Sequence, residues 1–237
     1  MEAAMRYLAI SLVLAMTLGA AFGAEGSKTE ERLQKSADVL NAIMKTPEQG
    51  IPSDLLNKAV CVAVVPSYKK LALGIGGSAG KGALVCRRGG NGAWGAPWMF
   101  EMGGPSIGLQ IGGQATDFVL LIMNPEGAEK FVKGHTKLGA DASVAGGPVG
   151  RTAGASTGVL LQTEILTYSR SRGAFAGLSL EGQVIKNDGG ANKDIYGRDI
   201  SAHDILFGNV GTPAAARPLD AALSKYSPRG GQRFPKK

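Results

Sequence analysis

Glycine governs what this chain can fold into. It supplies 36 of 237 residues, about 15 % against a usual share of roughly 7 %. Pairs at 76–77, 89–90, 103–104 and 112–113 separate short runs of β-branched and apolar residues, with no G-X-Y period. Collagen is therefore excluded, and the glycines read as turns and bends in a strongly curved sheet. Val60–Val65 (closed by Pro66), Leu71–Gly77, Gly80–Arg87, Trp98–Met102, Ser106–Gly112 and Asp117–Asn124 are predicted strands. A second series covers Ala140–Ala145, Gly158–Ser169, Ala174–Leu180 and Gln183–Lys186.

Helices flank these runs. Ser27 and Glu30 form a capping box ahead of Leu33, Ala37, Leu40 and Met44, a helical apolar stripe that Pro47 ends. Ser53–Lys58 fits one further short helix. Pro125 opens another that runs to about Lys133, stopped by Gly134. Ser201–Leu206 and Pro218–Tyr226 complete the set. The predicted class is α+β, a curved, barrel-like antiparallel sheet flanked by helices. A composition of 44 % hydrophobic and 19 % charged residues fits a packed domain and not a disordered chain.

The two ends differ from the middle. Met1–Ala24 has one cation, Arg6, then an apolar run from Tyr7 to Leu18 and small residues up to Ala24. This is the pattern of a secretory signal, and the run is short for a membrane span of about 20 residues. The expected organisation is a signal peptide over 1–23, one domain over 24–226 and a flexible basic tail over 227–237. No cysteine follows the apolar run, so the chain is expected to cross the inner membrane and stay periplasmic or peripheral to the envelope, not as a lipoprotein. Lys225, Arg229, Arg233, Lys236 and Lys237 crowd the last 14 residues without an acid, and the chain's net charge is +7. Such a cluster is attracted to anionic surfaces.

Composition and motifs argue against catalysis. Two histidines and two cysteines leave little material for metal sites, and no metal or other cofactor is expected. Gly76–Gly80 and Gly154–Gly158 match the G-x-S-x-G elbow around Ser78 and Ser156, but strand-like sequence follows each where a helix is required. A serine hydrolase is the remote alternative. Gly80-Lys81 resembles the end of a P-loop but lacks the following Ser/Thr. Were 60–65, 71–77 and 80–87 a three-stranded meander, Cys61 and Cys86 would lie about 9–10 Å apart, twice the strand spacing. A disulfide requires Cα atoms within about 7 Å. Unless the strand order is not sequential, two buried thiols are expected.

Three stretches carry a family resemblance: GLQIGGQATDFVLLIMN at Gly108–Asn124, LGADASVAGGPVGR at Leu138–Arg151 and ILTYSRSRGAFAGLSLEG at Ile165–Gly182. In this order they resemble the SYLF domain, the lipid-binding and actin-regulator module of the yeast cortical actin patch, over about Leu33–Tyr226. The resemblance implies a non-enzymatic module binding phospholipid or phosphoinositide membranes, with actin filaments as a further ligand of some members. With the leader-like N-terminus, a secreted bacterial member is expected. The alternative is a structural or protein-interaction envelope protein without lipid specificity. The expected partner is an anionic phospholipid surface, with protein partners besides and no nucleic acid.

Headgroup recognition needs cations able to grip phosphate oxygens. Lys69-Lys70 and Arg87-Arg88 are paired candidates. Arg170 and Arg172 lie two apart and share one strand face, and Arg151 follows a Gly-Pro-Val-Gly bend. The plain alternative for each is a solvated charge or an ion pair with Asp141, Glu164 or Glu181.

Overall fold

A computed structural model of the chain describes residues 28–45, 50–149, 163–171, 174–176 and 180–228. Helix α1 covers 28–44, and α2 is Ser53–Lys58. Two very long strands follow, β1 (Cys61–Arg87) and β2 (Trp94–Ile122), joined by a 3-10 turn at Arg88–Gly90. Next come α3 (Pro125–Val132), β3 (Thr136–Lys137), β4 (Val144–Gly146), β5 (Ile165–Ser171), β6 (Ala174–Ala176) and β7 (Val184–Asn187). The chain closes with α4 (Gly189–Tyr196), α5 (Ala202–Phe207) and α6 (Arg217–Tyr226).

The six predicted short strands before Pro125 are thus two continuous ones. β1 and β2 pair antiparallel from Cys61 opposite Ile122 to Arg87 opposite Trp94. At about 3.3 Å per residue, such a ribbon would be far longer than a domain if straight. It folds back instead, and the two halves of β1 lie side by side. The Arg87 amide donates to the Val60 carbonyl at 2.8 Å. Cys61 and Cys86 form a disulfide with Cα atoms 3.9 Å apart. This overturns the expectation of two thiols. The stretch 71–77 is the bend between the halves, not a strand separating them, so the first and third runs are neighbours. Glycine permits the contact: a Cβ on Gly82 would sit 2.6 Å from the Val64 carbonyl oxygen and 2.7 Å from the Phe100 ring.

The halves of β2 flank this pair and recruit the remaining strands. Phe100–Gly103 pairs with β7, which pairs with β3, and Asp117–Ile122 pairs with β5. β6 adds to β5 antiparallel, whereas β4 lies beside β5 in parallel, so the α+β sheet is mixed and not wholly antiparallel. The strand expected over Ala140–Ala145 is mostly turn. There the Asp141 carboxylate accepts from the Lys137 amide and Gly139 has φ 85°.

Helices cover both faces. On one, α1, α2 and α6 bury Leu33, Leu40, Leu56, Leu219 and Leu223 against Val62, Val64, Val85, Val119 and Leu121. On the other, Phe131 of α3 and Ile205 of α5 join Cys61, Leu84, Trp98, Phe100, Phe118 and Leu120. From Cys61 to Val65 successive residues alternate between the two cores, which explains why that stretch is apolar without a break. At the seam the buried Arg87 guanidinium lies 3.9 Å over Trp94 and donates to the carbonyls of Ala59, Gly92 and Ser227. It thereby fastens the end of α6 to the ribbon, and burial lowers its pKa to about 10.

Replacing Cys61 and Cys86 by serine should lower unfolding free energy by about 3 kcal/mol, the usual value for a loop of this size, measurable by urea titration with and without reductant. Gly82→Ala should cost roughly 2–3 kcal/mol by overpacking. A melting temperature equal to that of the parent protein would contradict the close approach at the seam.

Candidate functional site

Beyond the end of α1, on the same face of the sheet, lies an open cleft of about 740 Å³. Its charged lining is Lys69, Lys81, Glu101 and Lys186, and His135 borders it as well. The strand register produces this grouping. Lys81 of β1 is in register with Glu101 of β2, which is in register with Lys186 of β7. Each follows the side-chain alternation of its own strand. Ala83 and Val85 put Lys81 on the α1 face, and Met99 puts Glu101 there. Lys69 reaches that face through a bulge, because three residues from Val65 to Tyr68 span two on β2.

The cleft continues into a smaller recess that shares Ser67 and Lys81 and adds Lys28, Arg32 and Lys35 of α1. The acids there are engaged. Lys81 Nζ is 2.6 Å from Glu101 and 3.1 Å from Asp188. Arg32 meets the same Asp188 oxygen at 2.9 Å, and Glu31 pairs with Lys35 at 2.7 Å. Burial opposes ionisation of Asp188, but hydrogen bonds from Arg32, Lys81 and the Ala191 amide outweigh it and hold its carboxyl below the usual range. The Glu101 contact in turn raises the Lys81 pKa. Lys69 and Lys186 are exposed and make no salt bridge among the described residues. The cleft therefore offers an anion two unengaged ammonium groups around a neutralised row.

Backbone strain gathers at the same place. Ser67 (φ 53°) and His135 (φ 58°) are the non-glycine residues with left-handed backbone among those described, and both line the cleft. Such conformations cost on the order of 1–2 kcal/mol each and concentrate at functional sites. The Ser67 amide donates to Asp117 at 2.9 Å, which holds the bulge.

The residues singled out from the sequence fall in different places. Lys69 lines the cleft, while Lys70 alternates to the other side of its strand and is half-buried. Arg87 is the buried seam residue described above. Arg88 borders a separate cavity. Arg170 stands across from Asp117 on β5. Arg151, Arg172 and Ser156 lie outside the described residues, as do the expected leader, 1–23, and positions 229–237 of the expected tail. Ser78 is buried, hydrogen-bonded with the Tyr68 phenol at 2.8 Å, the Gly104 carbonyl at 3.1 Å and Gln183 at 3.2 Å. No imidazole or carboxylate is among those partners. Lys81, Glu101 and Lys186 were missed because only strand register unites them. The Pro66-Ser67 interruption of an apolar run was the one local sign of a bulge.

A family model described as Ysc84, Las17-binding protein actin regulator, matches residues 103–226. The yeast Protein YSC84 of Saccharomyces cerevisiae is 36 % identical over 196 residues, 78 % of this chain and 41 % of the relative. LAS seventeen-binding protein 3 of the same yeast is 34 % identical over 212 residues, 84 % of this chain and 46 % of its own. SH3 domain-containing YSC84-like protein 1 of Rattus norvegicus is 32 % identical over 209 residues, 85 % and 60 %. The chain thus spans about half the length of the curated relatives it matches. No helix among the described residues is long and apolar enough to cross a membrane.

The Asp188 tie carries a pH signature. A carboxylate whose folded pKa is depressed contributes stability that is complete above its unfolded value and lost as pH falls through the folded one. The ordinary aspartate value is 3.8, so this contribution should fade as pH drops below about 4. Asp188→Asn should lose ~2 kcal/mol at neutral pH, because Arg32 is left partly buried without its partner. The variant's acid unfolding profile should be flatter than that of the parent below the same pH.

Proposed function

Because the chain belongs to the Ysc84, or SYLF, family of Las17-binding actin regulators, we propose that it is a non-catalytic binding module that receives an acidic protein surface in its lysine cleft. The carrying observation is the register of Lys81, Glu101 and Lys186, with Lys69 beside them and two ammonium groups unpaired. A relative named for binding Las17 supports a protein as the partner class. Acidic side chains on a partner would displace water from Lys69 and Lys186 and compete with Glu101 for Lys81. Such contacts set association rate and specificity and weaken as salt rises. The concave, rigidly paired floor suits a protruding acidic segment better than a flat bilayer.

Co-sedimentation with actin filaments, an acidic protein polymer, tests the reading against phosphatidylserine vesicles run in parallel. The parent protein should pellet with filaments at low salt, and Lys69→Glu with Lys186→Glu should weaken this at least tenfold. Filament binding unchanged by the double reversal, or binding to vesicles alone that the reversal abolishes, would overturn it. The second outcome would favour the phospholipid reading.

A further inference from the structure

A second cavity, of about 360 Å³, opens where the ribbon meets itself, between the seam, α3 and α5. We propose that it is a binding site for a small organic monoanion with an apolar body, an aryl or alkyl carboxylate or sulfonate. This inference is independent of the lysine cleft, with which the cavity shares no lining residue.

The lining separates into an apolar floor and a charged rim. The floor consists of Val60, the Cys61–Cys86 disulfide, Ala128 and Leu206, all buried. It has no charged side chain to desolvate, so an apolar group entering it gains the ordinary benefit of leaving water. Phe207 stands on the rim and is 40 % exposed, the one large apolar side chain so exposed among the described residues. A ligand in the cavity would cover it.

Arg88 supplies the charge. It follows the buried Arg87 directly but differs in burial and in partners. Arg87 is spent on backbone carbonyls, whereas Arg88 is exposed and donates a long hydrogen bond, 3.3 Å, to the Val210 carbonyl. Most of its five donors remain for a ligand. The turn that carries it has Gly89 at φ 61° and Gly90 at φ 82°, and a Cβ on Gly89 would meet nothing within 4 Å. The entrance is therefore open beside the guanidinium. Two acids bear on the sign of the ligand. Glu129 lines the cavity and faces His203 at 3.9 Å, and the Asp220 carboxyl feels Arg88 electrostatically. Arg87 also lines the cavity, but its guanidinium is held by the carbonyls of Ala59, Gly92 and Ser227, so the Arg88 guanidinium opposed by one lining carboxylate favours a single negative charge on the ligand over a multiply charged phosphate. The volume sits near the lower end of the roughly 300–1,000 Å³ range of small-molecule sites, too confined for a folded partner.

The probe is 8-anilinonaphthalene-1-sulfonate, titrated by fluorescence into the full-length protein. One saturable site per chain is expected. Arg88→Gln should weaken it about tenfold, the usual effect of losing a charge-assisted hydrogen bond. Phe207→Ala should weaken it severalfold, and Glu129→Gln should tighten it, because a repulsive charge is removed. All three side chains are exposed at the rim, so melting temperatures should stay within a few degrees of the parent value. The cleft reversal Lys69→Glu with Lys186→Glu should leave the probe affinity unchanged. A titration without saturation, equal affinity in Arg88→Gln, weaker affinity in Glu129→Gln, or loss of binding in the cleft reversal would each overturn the assignment. Failure of the cleft reversal to affect filament binding would leave this proposal standing.

Discussion

The contact between the two halves of β1 is the constraint on which everything else in the fold rests. A 27-residue strand paired to a 29-residue strand has no stable flat form in a domain this size. Once the ribbon doubles back, its inner edges meet, and side-chain volume there must vanish. Gly80 and Gly82 provide that, abutting Tyr68 and the Val64 carbonyl. The disulfide and the Arg87 amide bond then hold the ends together. Because the outer edges of β2 are left free by this arrangement, β5 and β7 can add on either side and widen the sheet. The helices then have two broad faces to cover, and both cores form.

Electrostatics connects the layers at one point. Asp188 caps α4 through the Ala191 amide, meets Arg32 of α1, and reaches Lys81 of β1. A single carboxylate thus ties two helices to the sheet and fixes one member of the cationic row. Lys130 plays a similar part elsewhere, bridging Glu126 and Glu164 at 2.9 and 2.7 Å. These pairs are partly exposed, and their value lies more in placing side chains than in bulk stability.

Much of the architecture was legible in local signals. The apolar stripe of α1, Pro125 at the start of α3 and the short helices at Ser53, Ser201 and Pro218 all matched, since caps, prolines and periodicity act within a few residues. The family resemblance also held, and it rests on order-preserving stretches that no single motif carries. What escaped was set by distance in the chain. Helix α4 begins with two glycines and depends on the Asp188 cap, so neither propensity nor periodicity announces it. The continuity of β1 through 71–77 could not be read from glycines that also fit turns. The Cys61–Cys86 pairing followed from that continuity, and so was missed with it. Arg87 and Arg88 look identical in sequence, yet one is buried against Trp94 and the other is exposed, because β1 ends at Arg87 and Arg88 opens the 3-10 turn that follows.

One extra residue decides where the candidate site lies. Cys61, Ala63 and Val65 face the α3 and α5 core, and strict alternation would send Ser67 and Lys69 to that same side. The bulge between Val65 and Tyr68 shifts the phase by one. Tyr68 therefore takes the core position, packing edge-on to Phe118 at 5.3 Å, and Lys69 turns to the open face. Without the shift, an ammonium group would be driven into an aromatic core and a phenol would be exposed. The left-handed Ser67 backbone and its Asp117 bond belong to this device. The strain is thus accounted for by a definite gain: the same bulge completes the hydrophobic core on one side and assembles the cationic cleft on the other.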